Sequence, residues 1–253
     1  AIVGAVVFGA AWAFIPAYLQ AKRGSHVVIT TIMFNFIASS LMVFLLVDVI
    51  RDMKQMGPHT VALPKEIWFP TFKEFAALFG IKIRYSPLNI SFLLAIAASF
   101  FVWFLVWKTK WGYEMRAVGH NTQAAIYAGI SPYKNIIIAM CISGGLAGLL
   151  GINEILGVHH KIVAGFPAGY GFTGIAVALM GRNHPIGIFP AAFLFGILYQ
   201  GGSEVTFDMP NITRYMFVAV QGVIILFSGA LENLFRPQIE SFFVNRLNRK
   251  VSV

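Results

Sequence analysis

The stretch Lys108–Lys134, KTKWGYEMRAVGHNTQAAIYAGISPYK, is a polar interruption between two apolar runs, Leu88–Trp107 and Lys134–Asn153. Each run approaches the roughly 20 residues that a helix needs to cross the hydrocarbon layer of a bilayer. The interruption therefore reads as a loop held in water between membrane spans. Within it Asn121 is suited to cap a helix, because its side-chain oxygen can accept from one of the first free backbone N–H groups. The sequence predicts a short helix over Thr122–Ala128, stopped by Gly129 in the left-handed region and kept from resuming by Pro132. Isolated helices shorter than about 12–15 residues are marginal in water, so this one needs a surface to dock on. Ala124, Ala125 and Ala128 give it a face that another backbone could approach closely, and the loop is expected to be the handle by which a cytoplasmic partner moves the membrane part.

Outward from this loop, six runs come near spanning length: Ala1–Gln20, Val27–Val49, Leu88–Trp107, Lys134–Asn153, Pro185–Gly201 and Thr213–Ala230. A seventh, Phe172–Gly181, is clearly shorter. Counting it as a crossing places the loops 21–26, 108–133 and 182–184, and the tail after 230, on one side. That side, taken with Lys134, holds eleven of the 19 basic residues. Most of the others lie in the long segment 51–86, a length at which loop charge begins to lose its influence on insertion. The short loops thus put Lys108–Lys134 in the cytoplasm. The expected fold is all-α, a polytopic membrane helix bundle forming one transmembrane domain over 1–253. Segment 51–87, with its amphipathic KEIWFPTFKEFAALFG, is expected as an extracytoplasmic cap or a docking surface for an extracytoplasmic partner. Segment 108–133 is the cytoplasmic loop and 231–253 a basic cytoplasmic tail, suited to the anionic inner surface.

Composition agrees with this and excludes other classes. Of the 253 residues 58% are hydrophobic and only 11% charged, where a soluble domain carries about 25% charged. The net charge of +9 does not indicate a nucleic-acid partner, because the basic residues sit in short loops and the tail, without a stripe interleaved with aromatics. Cys141 is the only cysteine, so there is no disulfide framework and no thiolate metal site. His159 and His160 are adjacent and cannot share one helix face, so no metal site is expected. The chain starts at Ala1 inside an apolar run, and no signal peptide is read there. No G-x-x-x-x-G-K-[ST] occurs, so any nucleotide would bind a separate chain. No nucleophile–base pair stands out, and the chain is not expected to be an enzyme.

Three places could line a path for a solute. Thr31, Asn35 and Ser39 fall at i, i+4 and i+8 on one helix face, either bonding to neighbouring helices or facing a substrate pathway. From Gly144 to Gly181 there are ten glycines, and the stretch Val158–Gly171 separates one run from a segment too short to cross alone. Broken helices of this kind are where transporters place substrates. Tyr170, Phe172 and Thr173 stand at the start of the short segment, where the two rings either pack or receive a flat ligand. Glu154 is a functional candidate if it lies at membrane depth, and a solvated helix end if it lies at the boundary, the reading its neighbours His159, His160 and Lys161 favour.

TIMFNFIA at 31–38, RAVGHNTQAAIYAGI at 116–130, EILGVHHK at 154–161 and GYGFTGIAVALMGRNHPIG at 169–187 together resemble the permease subunits of bacterial ABC importers. The superfamily is that of branched-chain amino acid and ribose permeases, and within it the chain is most similar to nucleoside-type permeases that work with basic membrane lipoprotein-like binding proteins. The resemblance implies a heteromeric importer in the bacterial cytoplasmic (inner) membrane, with a second permease subunit, cytoplasmic ABC ATPases that bind ATP and Mg, and an extracytoplasmic substrate-binding protein. No cofactor is implied on this chain. The family's ATPase-coupling segment maps onto Arg116, Gly119, Asn121, Ala124, Ala125 and Gly129, and the half-helix beginning at Gly169–Gly171 would line the path. Such permeases usually carry further N-terminal spans before the region matching Ala1–Gln20. Phe34 and Phe36 stand where aliphatic or tyrosine side chains are usual. The resemblance implies transport of a nucleoside or related sugar-containing solute. An ion-gradient transporter with Glu154 as proton carrier is the alternative.

Overall fold

The computed structural model describes residues 1–51, 57–72, 88–166, 169–209, 216–224 and 226–227. The chain divides into two units, Ala1–Ala168 and Gly169–Val253.

In the first unit, α1 (Ile2–Arg23) ends where Gly24 turns left-handed at φ 66° and its N–H closes on the Gln20 carbonyl. Next, α2 (Val27–Phe44) runs on into a wider, π-type turn over Leu45–Val49. After it come α3 (Ser91–Lys108), α4 (Lys110–His120) and α5 (Thr122–Tyr127). The last, α6 (Pro132–Ile152), continues as a π-type turn over Asn153–His159. Lipid tails are as apolar as leucine, so helices in a bilayer associate through close packing rather than through escape from water. The α1–α6 pair shows this, because Ala5, Gly9 and Ala13 of α1 run antiparallel to Gly144 and Gly148 of α6 with backbones touching. A side chain built on Gly9 would run into the Gly144 carbonyl, and one on Gly148 into the Ala5 carbonyl. A T-shaped contact of Trp12 with Phe34, centroids 5.9 Å apart, joins α1 to α2.

Segment 57–72 is laid over the far end of α6. His59 pairs with Val163 and Thr71 with Asn89 as isolated antiparallel bridges. Backbone N–H groups of Thr60, Leu63 and Phe69 donate to the carbonyls of Ile162, His160 and Leu156. In the amphipathic stretch beginning at Lys65, Lys65–Ile67 forms a single 3-10 turn, bracketed by Pro64 and Pro70. Residues 73–80 and the basic tail 231–253 lie outside the described residues.

In the second unit, α7 (Tyr170–Met180) and α8 (Pro185–Asp208) form an antiparallel hairpin. The turn between them uses two successive left-handed residues, Arg182 at φ 56° and Asn183 at φ 53°. The hairpin closes on Ala176, Val177, Ala191 and Phe195, with Met180 and Ile188 against them. A further helical stretch, 216–224, crosses α8 where Gly202 meets Phe217 with no room for a side chain.

Among the described residues, five helices are long and apolar enough to cross a membrane: Ile2–Arg23, Val27–Val49, Ser91–Lys108, Pro132–His159 and Pro185–Asp208, with Tyr170–Met180 shorter. These match five of the expected runs and the short segment. The sixth run, Thr213–Ala230, is described only in part, over the helical 216–224 and residues 226–227. Large hydrophobic side chains remain exposed along every span, Phe8 by 78% and Phe193 by 72%. A soluble monomer rarely shows apolar surface on this scale.

Candidate functional site

The polar loop between the third and fourth spans is built from three short-range devices. Thr109 caps α4, its hydroxyl accepting from the Gly112 N–H at 3.2 Å. Asn121 caps α5, its Oδ1 accepting from the N–H groups of Gln123 at 3.0 Å and Ala124 at 3.1 Å. Gly129 at φ 76° ends α5, and the Ile130 N–H bonds back to the Ala125 carbonyl at 2.9 Å. Pro132, expected to keep that helix from resuming, opens the next one. It sits in the first turn of α6, where a missing N–H costs nothing because the first turn has no acceptor for it.

The expected alanine face is also revised. Ala125 is buried at 3% exposure against its own unit, while Ala124 and Ala128 are exposed. The side chains that stand out from α5 are Ile126, 51% exposed, and Tyr127, 92% exposed. Sequence reasoning passed over both, although an aromatic and a β-branched residue in a water-held loop are a signal in themselves. Arg116 and Gly119 lie exposed on α4. That helix is tied to α6 through buried Asn135, whose Nδ2 donates to the Ser131 carbonyl at 3.1 Å and to Glu114 Oε2 at 3.5 Å.

At the opposite end of α6, Glu154 is not a solvated helix end. It is 7% exposed, because the helix continues past it as a π-type turn and segment 57–72 bonds across residues 156–164. Asn153 Nδ2 donates to Glu154 Oε1 at 3.3 Å, and His159 Nε2 stands 3.5 Å from Oε2. Ser91 Oγ lies within bonding range of the side-chain oxygens of both Asn153 and Asn89, and its single proton serves one of them at a time. Asn89 Nδ2 reaches Asn153 Oδ1 at 3.4 Å. Asn89 and Ser91 were not candidates from the sequence, and nothing local there marks them.

On α2 the expected polar face is only partly available. The Thr31 hydroxyl donates to the Val27 carbonyl of its own helix at 2.9 Å, whereas Asn35 and Ser39 are exposed. Ser39, Ser40, Val43, Phe44, Val47 and Asp48 line an open cavity of about 440 Å³. In the second unit α7 starts at Tyr170, with Gly169 in the left-handed region at φ 80°. Phe172 is 66% exposed and Thr173 half-buried. The Tyr170 ring meets Tyr199 of α8 edge-on, centroids 6.4 Å apart. Among the described residues no group of three or more His, Cys, Asp and Glu is placed to hold a metal ion.

Long apolar helices, small-residue packing and short polar loops define a multi-pass helical protein of the cell membrane. The chain belongs to the family described as branched-chain amino acid transport system / permease component, which matches residues 1–229. It is similar to the guanosine ABC transporter permease protein NupP of Bacillus subtilis, 35% identical over 90% of this chain and 63% of the relative. It is also similar to the nucleoside ABC transporter permease protein NupB of Lactococcus lactis, 36% identical over 87% of this chain and 60% of the relative. The glucose ABC transporter permease protein TsgB13 of Haloferax volcanii is 33% identical over 97% and 64% respectively. The chain thus spans somewhat less than two thirds of each of these relatives. No solved structure gave a significant match. These relatives do not favour the ion-gradient alternative.

Proposed function

We propose that this chain is the membrane-spanning permease component of an ATP-driven importer for a nucleoside or related sugar-containing solute. It carries no covalent chemistry. A cytoplasmic ABC ATPase, binding ATP and Mg, engages α5, a second permease subunit completes the path, and an extracytoplasmic binding protein delivers the solute. The observation that carries this reading is α5 itself. It is capped at both ends, seated through Ala125, and presents Tyr127 almost wholly to solvent, on the side that the short basic loops assign to the cytoplasm. A large aromatic held out on a rigid, water-facing element has the make-up of an interface anchor.

The solute class is supported by the named relatives. Guanosine and glucose differ in ring chemistry but both carry neighbouring hydroxyl groups. The test is uptake of labelled guanosine and glucose, with a branched-chain amino acid as comparison. The complete permease, its ATPase and its binding protein are reconstituted in proteoliposomes with ATP inside or with only a proton gradient. ATP-dependent accumulation of a hydroxylated solute is the expected result. Accumulation on the gradient alone would overturn the reading.

A further inference from the structure

Between α3 and the α1–α6 pair lies an open cavity of about 500 Å³. Its walls run from Ile2 to Ala10 on α1, from Leu94 to Phe101 on α3 and from Cys141 to Leu149 on α6. Apart from the weakly polar thiol of Cys141, every lining side chain is hydrocarbon. Small residues keep the space open, since Ala10, Ala98 and Gly145 stand where larger side chains would fill it. At about 1.5 Å per residue each wall is some 10–12 Å long, close to the roughly 15 Å of hydrocarbon in one leaflet. One rim lies a single helical turn inside the Asn89–Ser91–Asn153 junction, because Leu94 follows Ser91 and Leu149 precedes Asn153 by one turn. That rim is at the end away from α5, opposite the side that the short basic loops assign to the cytoplasm. The other rim, at Ala10, Phe101 and Cys141, falls near the middle of a layer about 30 Å thick.

A cavity with these walls offers water no hydrogen-bonding partner, so it stays dry. Left empty, all three walls would forfeit dispersion contacts. A helix is too wide to seat there. The volume spread over about 12 Å leaves a cross-section of about 40 Å², against about 80–110 Å² for a helix 10–12 Å across. A methylene chain, whose packing neighbours stand about 4 Å from its carbons, fits that section and follows the same direction as the groove. We infer that the groove is a binding site for one acyl chain of a phospholipid from the leaflet away from the cytoplasm. The lipid's ester groups then lie level with Ser91, and the end of the chain lies beside Phe101 and Cys141. Seated there, the chain takes the space that α3 would need to close on the α1–α6 pair.

The test uses the complete transporter in vesicles of phosphatidylethanolamine and phosphatidylglycerol. The vesicles are doped with a phospholipid that carries a photoactivatable diazirine either beside the ester or at the chain end. Labelled residues are then located by mass spectrometry. The chain-end probe should mark the positions of Phe101 and Cys141, and the ester-end probe those of Leu94 and Leu149. Ala98→Phe fills the groove and should lower chain-end labelling at Cys141 by about fivefold or more, since no partner surface is left for the chain. Labelling of peptides away from the groove should stay unchanged. Ala97→Phe, on the same wall, is the second variant, and melting temperature shows which variants are folded. If neither folds, the depth order in the wild type decides by itself. A protein helix seated in the groove would leave its residues unlabelled by either probe. That result, equal marking of both depths by each probe, or undiminished labelling in a folded, filled variant would overturn the inference.

Discussion

The Trp68 ring lies flat on His160, centroids 3.7 Å apart and planes 8° from parallel. His160 holds the left-handed conformation, φ 54°, that terminates the α6 helix, and Trp68 Nε1 donates to the Leu63 carbonyl at 2.9 Å. One indole thus fastens segment 57–72 to the helix end. Trp68→Ala should lose about 0.5–1.5 kcal/mol from the ring pair beyond the area it buries. Hydrogen exchange at the Leu63 and Phe69 amides should accelerate, with Trp68→Phe intermediate. Unchanged exchange would show that the backbone bonds hold the segment by themselves.

The α1–α6 contact is set by backbone approach. Gly148→Leu would drive a side chain into the Ala5 carbonyl, and overpacking of this kind costs about 1–3 kcal/mol or more. The melting temperature in detergent should fall, whereas Gly4→Ala, with open space around it, should leave it within experimental error. Equal melting of the two variants would refute close packing at Gly148.

Asn121 supplies both cap bonds of α5, and its replacement by alanine should weaken the helix by about 1 kcal/mol. Because α5 is a single short element, global melting should barely move while ATP-driven uptake falls several-fold. Asn121→Ser should restore most of it. Loss of uptake in the serine variant as well would point to a contact other than the cap.

Tyr127 and Ala124 are better probes of the proposed ATPase contact than Ala125, which is buried and would report on folding. Tyr127→Ala is expected to cost about 2 kcal/mol or more of ATPase binding, read as a lowered fraction of ATPase co-purifying with the permease. Ala125→Glu should instead reduce yield and melting temperature. Full ATPase retention by Tyr127→Ala would remove Tyr127 as an anchor.

Glu154→Gln separates two uses of a buried carboxylate. If it serves only to bind Asn153 and His159, the isosteric amide should keep ATP-driven uptake within about twofold, since glutamine still offers Asn153 an acceptor. A loss of uptake by two orders of magnitude with an unchanged melting temperature would assign the group to the transport cycle.

Much of the fold was legible because bilayer thickness fixes the length of an apolar run, and five of the runs appear as helices with ends shifted by a few residues. The cap at Asn121 and the stop at Gly129 were legible because both act within four residues of themselves. What escaped the sequence depends on contacts made from far along the chain. Glu154 looked solvated beside two histidines and a lysine, yet residues nearly a hundred positions earlier lie over that end of the helix. The orientation of Ala125 depends on what α5 rests on, and a six-residue helix carries too little pattern to reveal it.

From Pro132 to His159 the chain forms one uninterrupted helical element of 28 residues, about 40 Å long. Its near end begins four residues after α5 and its far end holds the Glu154–Asn153–Asn89 junction. An element of that length behaves as a connecting shaft, so a tilt of about 5° at one end sweeps the other through some 3–4 Å. Displacement on that scale is comparable to a hydrogen-bond length. Pivoting the shaft at α5 would therefore be enough to exchange the bonds that Asn153 shares with Asn89 and Ser91 at the opposite end, with no bend anywhere along its length.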